Sequence, residues 1–430
     1  MNELLLLIGA FFVLVLLRVP IAFAMGLSSV ITAWYIGLPL NIVVRNIFEG
    51  VNSFTLLAVP FFLLAGMILN EGKVTERLLE LSQALVGHIR GGLAHVNVLV
   101  SMLFAGISGS PAADTSGVGS ILIPNMIRAG YGRPFSVAIT AASSVIGGII
   151  PPSISMILYG AFGNVSIGAL FLGGMIPGIM VGLSQMVIGY MYARRRPELT
   201  GPAPSLRRIV RAVLGAALPM GMPVLIIGGI VFGVFTATEA SVIAVVYGLL
   251  IGLAFYRNKT FTLATLPRLF TRAVVFYALP MFAVVNAIPM GWLIAYLDGP
   301  QFVATTIGTL VTGYYGIYVC IVLVLLLLGT FLSPPVTIII FLPVLQVLGN
   351  MAGIHPVHLG VVTVMTLGIG QITPPYGICL LIAAEIGRVP VMKAFVTSLG
   401  LVAMFLLVVV ICIVFPDVIM FAPRAIMGVR

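Results

Sequence analysis

The sequence predicts an all-α polytopic membrane protein with about ten spans and two re-entrant hairpins, arranged as two inverted-topology repeats with broken helices. Three observations predict it. Charge is scarce, the basic residues fall on one side of the spans, and a constant offset relates two halves of the chain. Of 430 residues, 21 are Lys or Arg and 11 are Asp or Glu, and 61% are hydrophobic. The charged fraction is 7%, against about 25% in soluble domains. A soluble fold of this size could not cover so much apolar surface. A soluble enzyme, a disordered chain and a disulfide-rich secreted module are thereby excluded. The net charge of +10 reads as cytoplasmic-side loops rather than as a nucleic-acid footprint.

The elements follow in order. Leu4 to Leu17 come after Met1-Asn2-Glu3 with no basic n-region and no cleavage pattern, so 4–18 reads as a first span, not a signal peptide. Further spans are expected at 20–37, 54–70, 134–162, 166–192, 209–233, 236–256, 271–297, 356–387 and 391–415. In 72–90, Val74, Leu78, Leu81 and Leu85 share one helical face, while Lys73, Glu76, Arg77, Glu80 and Gln83 take another. This marks an amphipathic helix along the membrane interface. Regions 93–128 and 316–350 are each cut near the middle by Ser-Pro, and each is expected to be a hairpin. Residues 194–208 form a polar, Pro-containing linker between the halves. Cys320, Cys379 and Cys412 lie in apolar stretches without CxxC or metal spacing, and read as small buried hydrophobes.

Charge tests this layout. Arg194, Arg195, Arg196, Arg207, Arg208 and Arg211 make the densest basic cluster, so that loop is cytoplasmic. It follows the fifth span, which puts the N-terminus outside. Arg18, Lys73, Arg77, Arg90, Arg128, Arg133, Arg257, Lys259, Arg268, Arg272, Arg388 and Lys393 fall on the same side. Arg45, Arg424 and Arg430 fall opposite, an 18 to 3 split. Making either Ser-Pro region a full span would spoil the asymmetry.

The halves repeat. Gly106 and Gly329, Ser110-Pro111 and Ser333-Pro334, Thr140 and Thr363, Gly147 and Gly370, and Pro151-Pro152 and Pro374-Pro375 are each 223 residues apart. Ala58-x-Pro60 matches Ala278-x-Pro280 at offset 220, and Val165 and Phe171 match Val389 and Phe395 at offset 224. Five spans separate the two hairpins, an odd number, so the repeats are inverted. Inverted repeats with discontinuous helices mark secondary transporters.

Each repeat carries two breaks. Ser then Pro is an N-cap followed by the first helical residue, so a helix should start at each hairpin tip. Gly147-Gly148-Ile149-Ile150-Pro151-Pro152-Ser153 and Gly368-Ile369-Gly370-Gln371-Ile372-Thr373-Pro374-Pro375-Tyr376-Gly377 should interrupt a helix, because Pro cannot donate to the ladder. Broken backbone at membrane depth survives inside protein or beside a polar cavity. Freed carbonyls suit a hard cation such as Na⁺, and converging helix N-termini suit an anion.

GISGSPAADTSGVGSILIP, GGIIPPS, FLSPPVTIIIFLPV and GIGQITPPYG, in that order, resemble the large membrane subunit, the DctM family, of tripartite ATP-independent periplasmic (TRAP) transporters. The resemblance covers nearly the whole chain. It implies an ion-transporter-superfamily-like elevator fold, with a scaffold and a moving transport domain. It also implies Na⁺ as coupling ion, a small four-helix membrane subunit, a periplasmic substrate-binding protein, and no organic cofactor. Its tip positions fall at Ser110 and Ser333, and its broken helices at Gly147–Pro152 and Gly370–Pro375. Many relatives have Asp before the second tip Pro, where this chain has Ser333. The first tip often reads Ser-Ser, where this chain has Ser110-Pro111. These departures put the weight on backbone ligation at the tips.

On this reading, 1–53 and 193–273 hold scaffold helices, with the linker in the latter. Residues 54–192 are repeat 1, 274–415 repeat 2, and 416–430 a C-terminal tail. The chain is expected in a bacterial inner membrane, importing a small carboxylate. Cation binding is expected at Ser110, Asp114, Gly147, Ile150, Ser333, Gly370 and Thr373, and substrate contact at Thr115, Ser153, Thr337 and Tyr376. No transition metal is expected. Asp114 stands out as an acid inside an apolar region, with helix-dipole stabilisation as the structural alternative. Glu239 and Asp298 lie near span ends and read as structural. Hairpin one would form the inner-side gate region, hairpin two the outer, and 72–90 would brace the moving part.

Three rivals remain. A channel also uses broken helices. Gly106-Ile107-Ser108-Gly109 spells the GxSG of an intramembrane serine protease, which needs a His base such as His355 or His358 brought to Ser108. A primary pump lacks its Walker loop, since no GxxxxGK[ST] occurs.

Overall fold

The computed structural model describes residues 2–72, 74–201, 203, 205–254, 262–311 and 313–429. Lys73, Arg257, Lys259 and Arg430, four of the basic residues in the charge split, lie outside them. Every regular element among the described residues is a helix. The chain opens with α1 (Asn2–Leu16), α2 (Ile21–Tyr35), α3 (Asn41–Val51), α4 (Ala58–Glu71) and α5 (Val74–Val86). The first hairpin is α6 (Gly92–Ser108) and α7 (Pro111–Arg128), and the first broken helix is α8 (Arg133–Ser144) and α9 (Ile154–Gly163). Then come α10 (Ile167–Ala193), α11 (Leu206–Val231), α12 (Ala237–Ala254), α13 (Leu266–Tyr296) and α14 (Gly299–Leu310). The second hairpin is α15 (Tyr314–Gly329) and α16 (Pro334–Met351), and the second broken helix is α17 (Pro356–Gly370) and α18 (Ile378–Gly387). The chain closes with α19 (Val391–Val414) and α20 (Asp417–Met427).

Six helices among the described residues are long and apolar enough to cross a membrane: Phe54–Glu71, Ile167–Ala193, Leu206–Val231, Leu266–Tyr296, Pro334–Met351 and Val391–Val414. The expected spans 134–162 and 356–387 are each a pair of shorter helices, because a Pro-Pro pair stops the ladder in the middle. Both Pro-Pro pairs are joined by cis peptide bonds.

The repeat offset governs the helices as well as the motifs. Helices α7 and α16 start at residues 111 and 334 and end at 128 and 351, and α8 and α17 start at 133 and 356. Helices α9 and α18, and α10 and α19, run one residue further apart. Packing obeys the same relation. Helix α18 of the second repeat lies on α7 and α8 of the first, and α9 of the first lies on α16 and α17 of the second. Each broken helix thus completes the other repeat's hairpin. The resulting core is continuous across both repeats and includes Val118, Leu122, Val145, Ile338, Met365 and Leu380, all nearly or fully buried.

Local chemistry sets the helix ends. Ser166 caps α10 by accepting from the Ala169 amide at 3.3 Å. Thr236 and Glu239 form a reciprocal capping box at α12, with the Thr236 amide donating to Glu239 Oε2 at 2.8 Å. Asp298 takes a left-handed conformation just before α14. Glu239 therefore has a structural role as a helix cap. Cys379 and Cys412 are buried free thiols, and Cys320 is half-buried.

Three helices were not expected. Helix α14 occupies in the second repeat the place that α5 holds in the first, between α13 and the hairpin. It carries no charged residue, so it lacks the pattern that marks 72–90. Helices α3 and α20 fall in stretches read as a loop and a tail. Helix α20 packs on α10.

His358 on α17 is buried and bonds to the Tyr318 hydroxyl through Nδ1 and to the Cys412 carbonyl through Nε2, at 2.9 Å for the latter. The imidazole thus ties α15, α17 and α19 together. Prediction: His358→Phe leaves the buried Cys412 carbonyl without its partner and removes one from the Tyr318 hydroxyl, at a cost of about 1–3 kcal/mol. Denaturation of the purified variant measures this, and a wild-type midpoint would contradict it.

Candidate functional site

Each hairpin tip meets the break of its own repeat. At the first tip, α6 ends on Gly109 in the left-handed conformation, φ +60°. Ser110 is extended, and its hydroxyl accepts from the Ala113 amide at 3.4 Å to start α7, with Pro111 in the first position. The expected cap is present. At the second tip Ser333 holds the N-cap position without a side-chain capping bond, and Pro334-Pro335 open α16.

A backbone bond joins tip to break in both repeats. The Ile154 amide, just past Pro151-Pro152, donates to the Gly109 carbonyl at 3.4 Å. The Tyr376 amide, just past Pro374-Pro375, donates to the Thr330 carbonyl at 2.9 Å. Glycine is required at these approaches. A Cβ on Gly109 would lie 2.5 Å from the Pro152 carbonyl oxygen, and one on Gly370 would lie 2.3 Å from the Gly329 oxygen. Gly147 lies against Ser110 and Pro111, and Gly66 of α4 presses on Ser108.

The breaks release carbonyls in a fixed order. In an unbroken helix Pro151 and Pro152 would donate to Gly147 and Gly148, and Pro374 and Pro375 to Gly370 and Gln371, but proline has no N–H. The Gly148 carbonyl is recovered by the Ser153 hydroxyl, and the Gln371 carbonyl by the Cys379 amide at 3.0 Å. The Gly370 carbonyl accepts only a tight-turn bond from Thr373 at 3.1 Å. Gly147 and Gly370 are therefore the matched carbonyls beside the two tips, and such oxygens can coordinate a hard cation.

The structure places the remaining expected residues as follows. The Ile150 amide donates to the Ile146 carbonyl at 2.9 Å, an α-type bond that follows the 3-10 turn closed by Ile149. The Thr373 hydroxyl donates to the Ile369 carbonyl at 2.9 Å. Thr115 and Thr337 donate to the Pro111 and Ser333 carbonyls at 2.9 and 3.1 Å. The Ser153 hydroxyl also caps α9 by accepting from the Met156 amide at 3.2 Å, so both its bonding directions hold the break in shape. The Tyr376 ring is half-buried. The two repeats touch here: Val145, just before the first break, packs on Gly368, just before the second.

Asp114 sits one turn inside α7 and is fully buried. Neither carboxyl oxygen makes a hydrogen bond of standard geometry among the described residues, and the Ser101 and Ser144 hydroxyls interact with it at longer range. Around it lies a polar cluster that sequence reading missed. Asn97 donates to Thr140 Oγ1 at 2.6 Å, and Ser143 to Asn97 Oδ1 at 3.2 Å. The Ser101 and Ser143 hydroxyls are 3.2 Å apart. Asn97 and Ser101, and Thr140 and Ser144, recur at i, i+4 within apolar helices, a signal that could have exposed the cluster. The protease arrangement is not assembled. Both His358 nitrogens are engaged elsewhere, and His355 Nδ1 accepts from the Val357 amide at 3.2 Å.

Comparison with known proteins gives the context. Residues 8–418 match the family model described as "Tripartite ATP-independent periplasmic transporter, DctM component". The sialic acid TRAP transporter large permease protein SiaM of Vibrio cholerae is 36% identical over 90% of this chain and 91% of its own. The C4-dicarboxylate TRAP transporter large permease protein DctM of Pseudomonas aeruginosa is 36% identical over 85% and 86%. The 2,3-diketo-L-gulonate TRAP transporter large permease protein YiaN of Escherichia coli is 35% identical over 86% and 87%. The fold is similar to the crystal structure of the Alcanivorax borkumensis YdaH transporter, with a TM-score of 0.56 and 16% identity over 87% of each chain.

Prediction: Gly109→Ala and Gly370→Ala push tip from break and cost about 1–3 kcal/mol each by overpacking. Gly400→Ala, inside α19 with nothing within 4 Å, leaves the melting temperature unchanged or raises it, because Ala favours the helix over Gly. Thermal unfolding of the three variants checks this, and equal midpoints would contradict it.

Proposed function

Because this chain belongs to the DctM component family of TRAP transporters, we propose that it is the translocating subunit of a Na⁺-coupled importer of a small organic acid. It is a multi-pass membrane transporter permease and not an enzyme. The family works with a small permease subunit and a periplasmic binding protein. On our reading the small subunit has four helices and the binding protein delivers a carboxylate. The setting is a bacterial inner membrane, with about ten spans, the N-terminus in the periplasm and an elevator motion of hairpins and broken helices against the scaffold.

The observation that carries this reading is the duplicated docking of tip on break. A single interrupted helix is commonly a kink in a packed bundle. Two interruptions, each facing a hairpin tip and each leaving a glycine carbonyl beside a helix start, supply matched places for coupling ions. Ser110, Gly147 and Ile150 would serve one, and Ser333, Gly370 and Thr373 the other. The starts of α7, α9, α16 and α18 offer N–H groups to an anion, with Thr115, Thr337 and Tyr376 nearby as polar contacts. Ser153 acts by holding its break. Sialic acid, C4-dicarboxylate and 2,3-diketo-L-gulonate in the names of these three relatives are carboxylates, and a 34% identical relative of Oleidesulfovibrio alaskensis is named for isethionate, a sulfonate, so the names support a small organic acid.

Prediction: in proteoliposomes containing the small subunit and the binding protein, labelled organic-acid uptake requires an inward Na⁺ gradient and saturates. Gly147→Val and Gly370→Val lower uptake at least tenfold, about 1.4 kcal/mol in the transport barrier. Rapid ohmic current without Na⁺ dependence would overturn this reading in favour of a channel. Full uptake by this chain alone would remove the partner requirement.

A further inference from the structure

We propose that Asp114, Ser101 and Ser144 form a further monovalent-cation site, built from side chains rather than broken backbone. The inference rests on the Na⁺-coupled reading above and adds a site to it. The hydroxyls of Ser101 and Ser144 face the Asp114 carboxyl, and all three residues are fully buried. A buried carboxylate is stable only with a compensating positive charge or hydrogen-bond donors.

The donors nearby have other acceptors. The Ser144 hydroxyl donates to the Thr140 carbonyl at 2.9 Å. Ser143 donates to Asn97 Oδ1 at 3.2 Å or to the Thr140 carbonyl at 3.1 Å. The Ser101 and Ser143 hydroxyls are 3.2 Å apart, and with Ser143 donating to one of those acceptors the Ser101 hydrogen can go to the Ser143 oxygen. Thr115 donates to the Pro111 carbonyl, and the Cys379 thiol of α18 points its hydrogen at Gln371 Oε1, 3.7 Å away. With their hydrogens on these other acceptors, the Ser101 and Ser144 oxygens are free to turn lone pairs toward a cation held by the carboxyl. Two carboxyl oxygens and two hydroxyl oxygens with one formal negative charge match a hard monovalent cation. A divalent ion would leave a buried positive charge uncompensated.

The repeat supplies an internal comparison. At offset 223 the counterparts of Asp114, Ser101 and Ser144 are Thr337, Val324 and Leu367. Thr337 satisfies its own hydroxyl on the Ser333 carbonyl. The second repeat thus keeps the fold of this region without the carboxylate and the two serine hydroxyls, so these groups of the first are not needed to build the fold. The site also bridges the repeats, since Cys379 at the start of α18 lies beside Asp114 and Thr115. A cation held there joins hairpin one to the opposite repeat's broken helix.

The test is Na⁺ counting on the purified full chain by equilibrium dialysis with radioactive Na⁺. Asp114→Asn, which keeps shape and removes charge, is expected to bind one Na⁺ fewer per chain than wild type while retaining the rest. Ser144→Ala is expected to weaken that Na⁺ by about tenfold, at the low end for a residue supporting a metal site. Ser120→Ala, exposed on the same helix, should match wild type. An unchanged count in Asp114→Asn overturns the site alone. If that variant does not fold, wild-type Na⁺ affinity in Ser144→Ala overturns it. Absence of Na⁺ binding by the wild-type chain overturns the Na⁺-coupled reading and this site together.

Discussion

The constraint behind this structure is that backbone N–H and C=O groups interrupted inside a membrane must find partners without water. Two Pro-Pro pairs interrupt two helices, and two Ser-Pro pairs interrupt two hairpins. Each break is satisfied by the nearest tip: Ile154 bonds to Gly109, and Tyr376 to Thr330. The tight glycines at 109 and 370 follow from this, because the carbonyls they meet leave no room for a Cβ. So does the selective recovery of the Gly148 and Gln371 carbonyls, which leaves Gly147 and Gly370 as the matched groups beside the tips.

A second consequence is the exchange between repeats. The half-helices after the breaks are short, ten residues each for α9 and α18, and cannot bury an apolar face alone. Each lies on the other repeat's hairpin and first half-helix. The two sites are therefore parts of one packed body, and a change at either tip is felt across the pseudo-symmetry axis. Interleaving of this kind suits a unit that moves as a whole.

Much of this was legible in the sequence because rare residue types did the signalling. Pro-Pro, Ser-Pro and their glycines fix breaks and helix starts by covalent geometry, so positions 110, 151, 333 and 374 could be assigned without knowing the packing. Helix α14 was not legible because it lacks the charged face that marks α5. The tip-to-break bonds were not legible because they are backbone contacts across 45 or 46 residues, independent of side-chain identity. Ser101 and Ser144 were missed because a serine in an apolar helix usually bonds its own preceding turn, and its meaning here comes from Asp114 on a neighbouring helix. The missing capping bond at Ser333 shows the reverse limit: the motif gives the helix start, while the side chain's partner depends on its rotamer.

The central claim is that the two tip-and-break junctions are the paired cation sites of a transporter. The most direct measurement is an experimental structure of the full chain with Tl⁺ replacing Na⁺, its positions located by anomalous scattering. The account predicts Tl⁺ peaks beside Gly147 and Ser110 and beside Gly370 and Ser333, related by the pseudo-two-fold of the repeats. Well-occupied Tl⁺ sites elsewhere, with neither junction holding an ion, would contradict it.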